Sequence, residues 1–182
     1  GYSIERLAGV MFTSTEGIFG IPIAVSSTYI ILFVLFGALL EAAGAGNYFI
    51  RVAFAGLGHL RGGPAKAAVV SSGMTGLISG SSIANVVTTG TFTIPLMKRS
   101  GYDANFAGAV EAVASTGGQI APPVMGAAAF IMVEFLEIPY RSILLAAMVP
   151  ALMHYLGVLT MVHLEAKRLG LRGLTVEERP VC

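Results

Sequence analysis

Two polar clusters stand out because each interrupts a long apolar stretch. Residues 80–85 (GSSIAN) supply hydroxyl groups, a side-chain amide and a flexible glycine. Residues 115–123 (STGGQIAPP) end in two prolines, which leave the carbonyls of Gly118 and Gln119 without helical partners. Free carbonyls at helix C-termini suit a hard cation such as Na⁺, and helix N-termini suit a carboxylate. Placed side by side, the two clusters would form a site for Na⁺ and an anionic solute.

The side chains of the first cluster are the candidate ligands. The hydroxyls of Ser81 and Ser82 and the amide of Asn85 can add to the backbone carbonyls. No lysine or arginine lies nearby in sequence, so a bound cation would supply the charge that an anion requires. We expect the anion itself to contact Ser82, Asn85, Gly118 and Gln119. The alternative interpretation is that these small and polar residues only allow helices to pack tightly in a membrane.

The first cluster lies in the middle of a charge-free segment between Lys66 and Lys98. As one helix this segment would be about 46 Å long, whereas a bilayer's hydrocarbon core is about 30 Å thick. We therefore predict two short helices, over 65–79 and 83–98, that meet at a polar tip inside the membrane. Such a re-entrant hairpin is stable only where protein or a water-filled cavity satisfies its backbone.

The second cluster divides a segment that carries a single charge, Glu111, between residues 104 and 133. The pattern predicts a discontinuous transmembrane helix over 104–116 and 122–135, with an unwound centre. An acid inside an apolar segment is functional by default. Glu111 lies only two turns from Asp103, however, so an interfacial or helix-packing role is an equal alternative.

The rest of the chain supplies elements that would hold these segments. The pattern predicts an amphipathic surface helix over 1–20, a spanning helix over 21–43, a short linker helix over 47–60 and a spanning helix over 140–164 that Pro150 could kink. A polar tail follows. The three histidines, His59, His154 and His163, lie near predicted segment ends, where we expect interfacial or packing roles.

Composition places the chain among membrane proteins. It is 55% hydrophobic and only 12% charged, against about 25% charged residues in soluble domains. Its single cysteine, Cys182, excludes disulfides and cysteine-based metal sites within the chain, and a net charge of +1 gives no reason to expect nucleic acid. The chain starts at Gly1 without a recognisable signal peptide, and we expect it to be a piece of a longer protein.

The distribution of basic residues favours the hairpin. If both hairpin ends face the cytoplasm, the basic residues divide unequally between the two sides, as the positive-inside rule requires. The cytoplasmic set is then Arg51, Arg61, Lys66, Lys98, Arg99, Lys167, Arg168, Arg172 and Arg179, and only Arg6 and Arg141 lie outside.

Two other functional classes are alternatives to a transporter. A Gly/Ser/Thr-rich re-entrant loop also suits the filter of an ion channel, although a channel normally needs only one such loop per repeat. An intramembrane enzyme would use Ser81 or Ser82 as nucleophile and would need a base within hydrogen-bond reach. The predicted positions of the histidines do not provide that base, so we expect no catalytic residues.

Several short motifs resemble those of a known family. In order along the chain they are Gly62-Gly63-Pro64, residues 79–85 (SGSSIAN), Ile94-Pro95-Leu96-Met97, Gly101-Tyr102 and residues 117–123 (GGQIAPP). The set resembles the large membrane subunit of tripartite ATP-independent periplasmic (TRAP) transporters. Residues 15–20 (TEGIFG) and 122–126 (PPVMG) resemble the type in which the small and large membrane subunits are fused.

The resemblance implies an all-α, multi-pass protein of the bacterial or archaeal inner membrane. It implies Na⁺-coupled uptake of small organic anions delivered by a periplasmic solute-binding protein, with no cofactor other than Na⁺. It also implies an elevator mechanism built from two inverted repeats. Only one repeat is present here, so the second repeat and the small-subunit helices would be partners. Carried over to this chain, one family Na⁺ site falls on Ser81 and Asn85 and on the carbonyls of Gly117, Gly118, Ile120 and Pro122.

The resemblance also implies a division of the chain. Residues 1–20 would form the interfacial helix, and 21–64 the scaffold helix and linker. Residues 65–139 would belong to the transport domain, with the hairpin at 65–99 and the broken helix at 104–136. A spanning helix over 140–166 and a cytoplasmic tail over 167–182 would complete the chain.

Overall fold

The structure, a computed structural model, describes residues 3–173. Within this range every regular element is a helix, as the sequence predicts. In chain order the helices are α1 (Ile4–Thr13), α2 (Ile21–Val25), a π-helical turn (Ser26–Ile30), α3 (Ile31–Ala42), α4 (Ala45–Leu57), α5 (Gly63–Ser79), α6 (Ser82–Arg99), α7 (Ala104–Gly117), α8 (Ala127–Leu136) and α9 (Tyr140–Arg168).

Two continuous helical segments in the described range are long and apolar enough to cross a membrane. One is Ile21–Ala42, which comprises α2, the π-helical turn and α3, and the other is α9. Pro150 lies inside α9, whose helix continues on both sides of it. Within the segment 1–20, helix α1 ends at Thr13. The tail predicted over 167–182 begins as the end of α9 and continues beyond the described residues.

Helices α5 and α6 form a helical hairpin. Gly62 starts α5 from a left-handed conformation with φ +69°, and Pro64 occupies the first turn, where its missing N–H costs no hydrogen bond. Gly80, with φ +60°, ends α5, and the Ser81 hydroxyl caps α6 by accepting from the Ala84 N–H at 3.3 Å. The chain therefore reverses at Gly80-Ser81, where the sequence predicts a tip.

Helices α7 and α8 are separated by a longer interruption than the sequence predicts. Helix α7 ends at Gly117 as expected, but α8 begins at Ala127 rather than at residue 122. Helix α8 starts later because residues 119–126 form a loop. The Gly126 N–H donates to the Gln119 carbonyl at 2.7 Å, and Met125 adopts a left-handed conformation with φ +57°. The prediction that α8 starts at 122 is therefore wrong.

Alanines make up half of the core cluster between the hairpin, α7 and α9. Their short side chains bring these helices close together, which is how helices associate where the hydrophobic effect is weak. The buried members of this cluster are Ala65, Ala68, Val69, Met97, Tyr102, Ala107, Val110, Ala114, Val162 and Ala166.

Both ends of the hairpin lie at the same end of α9. A Cβ atom at Gly62, just before α5, would lie 2.6 Å from the hydroxyl oxygen of Tyr102, just after α6. The same atom would lie 2.5 Å from the Cβ of Ala166 in the last turn of α9. Nearby, Lys66 Nζ lies 3.0 Å from His163 Nδ1. We call this meeting point of α5, α6 and α9 the hairpin base.

Candidate functional site

The tip of the hairpin lies against the interruption between α7 and α8. The Gln119 side-chain amide donates to the Ser82 hydroxyl at 3.1 Å. A Cβ atom at Gly80 would lie 2.1 Å from the Met125 carbonyl oxygen, so the two backbones are in direct contact. The two polar clusters, separated by about thirty residues in the sequence, are therefore adjacent in the fold.

The backbone carbonyls of the interruption differ in their hydrogen bonding. The Gln119 carbonyl has no helical partner, as predicted, but it accepts from the Gly126 N–H seven residues further on. The Gly117 carbonyl accepts from the Ile120 N–H at 3.2 Å. No donor among residues 3–173 bonds to the carbonyls of Gly118, Ile120 or Pro122. These three carbonyls have the free lone pairs that a dehydrated cation needs.

The candidate side chains of the tip take different positions. Ser81 serves as the N-cap of α6, and Ser82 faces Gln119 across the interface. Asn85 is buried one turn deeper in the hairpin, where its Nδ2 donates to the Ser72 carbonyl at 2.7 Å. The Oδ1 atom of Asn85 is also buried, and it has no hydrogen-bond partner among the described residues. An unpartnered buried acceptor of this kind is unusual and calls for an explanation.

A cavity of about 510 Å³ opens at the tip. Its walls combine the hairpin tip, the interruption and α3, and they include three of the predicted site residues, Ser81, Gln119 and Ile120. Pro122 instead lines a separate, apolar cavity of about 560 Å³ between α5 and α9. Gly117 is packed against the rings of His154 and Tyr155, so its position is set by contact with α9.

A third group of polar residues, which the sequence analysis did not identify, surrounds Glu111. Its carboxyl group is fully buried and accepts from four hydroxyls: Ser72 at 3.0 Å, Thr93 at 2.6 Å, Ser115 at 3.2 Å, and Thr89. Ser72 comes from α5, the threonines from α6 and Ser115 from α7. We call these four hydroxyls the Glu111 cage. The cage joins the hairpin to α7.

The sequence does contain a signal for the cage. Asn85, Thr89 and Thr93 recur every four residues and therefore share one face of α6, and Glu111 and Ser115 share one face of α7 in the same way. Gly90 allows the close approach, because a Cβ atom there would lie 3.2 Å from Glu111 Cγ. The burial of Glu111 between α6 and α7 is compatible with both a functional and a helix-packing role.

One prediction about the histidines is wrong. His154 lies in the middle of α9 rather than near a segment end, and its Nε2 lies 3.0 Å from the Val113 carbonyl. Among the described residues, no histidine bonds to Ser81 or Ser82.

Comparison with known proteins gives a consistent result. The family model described as the tripartite ATP-independent periplasmic transporter, DctM component, matches residues 4–182. The chain is 33% identical over 165 residues to the C4-dicarboxylate TRAP transporter large permease protein DctM of Pseudomonas aeruginosa, covering 88% of the chain and 35% of that protein. It is 32% identical over 138 residues to the protein of the same name in Vibrio cholerae, covering 74% of the chain and 29% of that protein.

The name of a further relative gives a different substrate. The chain is 28% identical over 177 residues to the isethionate TRAP transporter permease protein DctMQ of Oleidesulfovibrio alaskensis, covering 93% of the chain and 25% of that protein. The chain thus spans between a quarter and about a third of the length of these three relatives.

Proposed function

Because the chain belongs to the DctM family of tripartite ATP-independent periplasmic transporters, we propose that it forms part of a Na⁺-coupled permease that imports small organic anions. The substrates in the names of its relatives, C4-dicarboxylates and isethionate, are both small organic anions. The whole permease receives its solute from a periplasmic binding protein and lies in the inner membrane with several spans. A second repeat, and small-subunit helices of the fused type, complete it.

The hairpin is re-entrant in this proposal. Helices α5 and α6 have 17 and 18 residues, so each is about 25–27 Å long and shorter than the hydrocarbon core. Their outer ends meet at the hairpin base, where Lys66 lies beside His163. The positive-inside rule places this base in the cytoplasm and the tip inside the bilayer. The hairpin and the broken helix α7–α8 move together as the transport domain of an elevator.

Na⁺ binds between the tip and the interruption. The contact of Gly80 with Met125 and the bond from Gln119 to Ser82, which put the two clusters in one place, are the observation that carries this proposal. The carbonyls of Gly118 and Ile120 have no competing donors among the described residues, so they are the first ligands. Ser81, Asn85, and the carbonyls of Gly117 and Pro122 complete the candidate set.

The anion binds in the cavity at the tip. The first turn of α6 offers backbone N–H groups and the positive end of a helix dipole, which favour a carboxylate or sulfonate. Gln119 lines this cavity and donates to Ser82, and both side chains add donors. Gly118, next to Gln119 in the chain, and Asn85, one turn into α6, are the other candidate contacts. Bound Na⁺ compensates the negative charge of the solute.

Sodium binding is tested first with Na⁺ alone, on the whole permease purified in lipid nanodiscs. A ligand that binds the folded protein raises its unfolding temperature. We expect NaCl to raise this temperature relative to choline chloride, and the double variant S81A/N85A to lose the increase. The matched control T91A/N105A changes a threonine and an asparagine on exposed surfaces and keeps the increase.

Two results would contradict the proposal. An equal increase in the unfolding temperature of S81A/N85A would place the sodium site elsewhere. The absence of an increase in the unmodified permease would argue against sodium coupling altogether. The anion site is tested separately, by uptake of a C4-dicarboxylate and of isethionate into proteoliposomes with the binding protein. We expect Q119A to reduce uptake while leaving the effect of Na⁺ on unfolding unchanged.

A further inference from the structure

Glu111 is a buried titratable group that the proposed sodium and anion sites do not use. It lies on α7, against α5, α6 and α9, and its side chain is fully enclosed. No lysine, arginine or histidine among residues 3–173 hydrogen-bonds to it. An ionised carboxylate buried without a positive partner is costly, and such a group commonly takes up a proton instead.

We propose that Glu111 is a reversible proton-binding site, and that rotation of hydroxyl groups in the Glu111 cage accommodates both of its protonation states. The proposal does not depend on the sodium site. It assigns a second monovalent cation, the proton, to the interface between the hairpin and α7.

The cage satisfies the ionised state by donating to it. Thr93 donates to Oε2, and Thr89 and Ser72 donate to Oε1. The Ser115 hydroxyl lies 3.2 Å from Oε1 and 2.9 Å from the Ser72 hydroxyl, so it can donate to Oε1 or to the Ser72 oxygen. Hydrogen bonds from several donors stabilise a carboxylate where no cation is available.

The cage also satisfies the protonated state. The Thr89 hydroxyl lies 2.8 Å from the Asn85 carbonyl, and the Thr93 hydroxyl lies 3.0 Å from the Thr89 carbonyl. When Glu111 carries a proton, its O–H donates to one threonine oxygen, and that threonine turns its own proton to the backbone carbonyl. No heavy atom has to move. On release, one proton leaves to water and the threonine donates to the carboxylate again.

The other titratable groups of the surrounding helices bond to other partners or lie near helix ends. On α9, His154 bonds to the Val113 carbonyl and Tyr155 donates to the Ala114 carbonyl. On α5, Lys66 contacts His163 of α9 at the hairpin base. The remaining charged groups of these helices are Lys98 and Arg99 at the end of α6 and Arg141, Glu165, Lys167 and Arg168 in the end turns of α9.

The geometry favours a proton over a metal ion. The cage oxygens lie at hydrogen-bond distance from the carboxyl oxygens, between 2.6 and 3.2 Å for Ser72, Thr93 and Ser115. Glu111 lines neither the tip cavity nor the apolar cavity beside α9. The cage oxygens are thus already in close hydrogen bonds with the carboxyl group.

Infrared difference spectroscopy of the whole permease in lipid nanodiscs tests the proposal. A protonated carboxyl group gives a C=O stretching band that disappears on ionisation. We expect a band that loses intensity as pH rises and is absent from E111Q. The matched control E41Q changes an exposed glutamate that also accepts from a threonine, Thr88 at 2.6 Å, and it keeps the band.

A second pair of variants addresses the cage without removing the carboxyl group. T93V is nearly isosteric and deletes one hydrogen-bonding partner, so it should shift the frequency of the band while the band remains. T91V, on the exposed face of α6, should leave the frequency unchanged.

Three results would overturn the proposal. Identical spectra of E111Q and the unmodified permease at every pH would mean that Glu111 stays ionised. A Glu111 band that does not change with pH would mean that its proton is permanent. A band that vanishes on addition of Na⁺ at constant pH, without responding to pH, would assign the carboxylate to sodium.

Discussion

Gly76 of α5 and Gly118 of the interruption face each other so closely that neither position has room for a side chain. A Cβ atom on Gly76 would lie 2.8 Å from the Gly118 Cα, and a Cβ atom on Gly118 would lie 2.6 Å from the Gly76 Cα. This contact brings the hairpin against the unwound segment that follows α7. The free carbonyl of Gly118 therefore stays next to the hairpin only while both residues are glycine.

We expect G118A to destabilise the permease. Overpacking a tight contact typically costs about 1–3 kcal/mol, because the backbones must separate. The matched control is G108A in α7, where a Cβ atom would meet nothing within 4 Å. Alanine there should be neutral or stabilising, since glycine inside a helix costs about 0.5–1 kcal/mol relative to alanine. Thermal unfolding of both variants measures the difference, and equal unfolding temperatures would contradict the predicted close contact.

Ser72 and Ser71 are neighbouring, fully buried serines with different partners. The Ser72 hydroxyl donates to Glu111 and accepts from Asn85, whereas among residues 3–173 the Ser71 hydroxyl bonds only to the Ala68 carbonyl of its own helix. We expect S72A to lower the free energy of unfolding by about 1–3 kcal/mol, the usual cost of leaving buried polar groups unpaired. S71A should cost less. Chemical denaturation of the two variants compares them, and a larger effect of S71A would show that the link between helices contributes little.

Tyr102, in the turn after α6, should make stability depend on pH at the alkaline end. Burial, and then the nearby Glu165 carboxylate, raise the pKa of Tyr102 from 10.0 to about 12. An unfolded chain loses this proton near pH 10 and the folded chain near pH 12. The contribution of Tyr102 to stability is therefore complete below pH 10 and decreases as pH rises from 10 to 12.

The variant Y102F tests this dependence. It keeps the ring, which stacks on Phe106 with centroids 5.6 Å apart, and removes a buried hydroxyl that has no hydrogen-bond partner among the described residues. We expect it to raise stability at pH 8 by about 1 kcal/mol and to reduce the loss between pH 10 and 12. Y48F, at an exposed position, is the control. An unchanged pH profile in Y102F would refute the prediction.

The re-entrant hairpin makes a prediction about sidedness. With Cys182 replaced by serine, single cysteines are introduced at Arg61, Arg99 and Glu137, all of which are exposed. A membrane-impermeant maleimide added outside intact cells should label position 137 and leave 61 and 99 unmodified until the membrane is opened. Labelling of 61 and 99 from opposite sides would mean that residues 63–99 cross the membrane once.

The hairpin tip is predictable from sequence because its signals are local. A charge-free segment too long for one span, a glycine suited to a left-handed conformation and a following serine cap together determine where the chain reverses. The end of α7 is similarly indicated by the prolines. The start of α8 is not, because it depends on the bond between Gly126 and Gln119 and on the backbone of Met125, neither of which a residue type specifies.

The Glu111 cage shows a different limit of prediction from sequence. The polar face of α6 is readable from the spacing of Asn85, Thr89 and Thr93. Which helix covers that face depends on the geometry of the hairpin and on the packing of small residues such as Gly90. Sequence reasoning could therefore identify each polar face, but the pairing of α6 with Glu111 required the tertiary structure.

Helix α9 is attached to the rest of the chain along its whole length. At its start, the Tyr140 hydroxyl lies 2.8 Å from the Val124 carbonyl, and in its middle His154 and Tyr155 bond to the end of α7. Its last turns pack at the hairpin base. Of these three attachments, the last involves the hairpin, whereas the first two hold α9 to the interruption and to α7. Helix α9 therefore ties the hairpin and the broken helix to one common element. We expect its remaining exposed apolar side chains, among them Leu145, Met153 and Leu164, to face lipid or the rest of the permease.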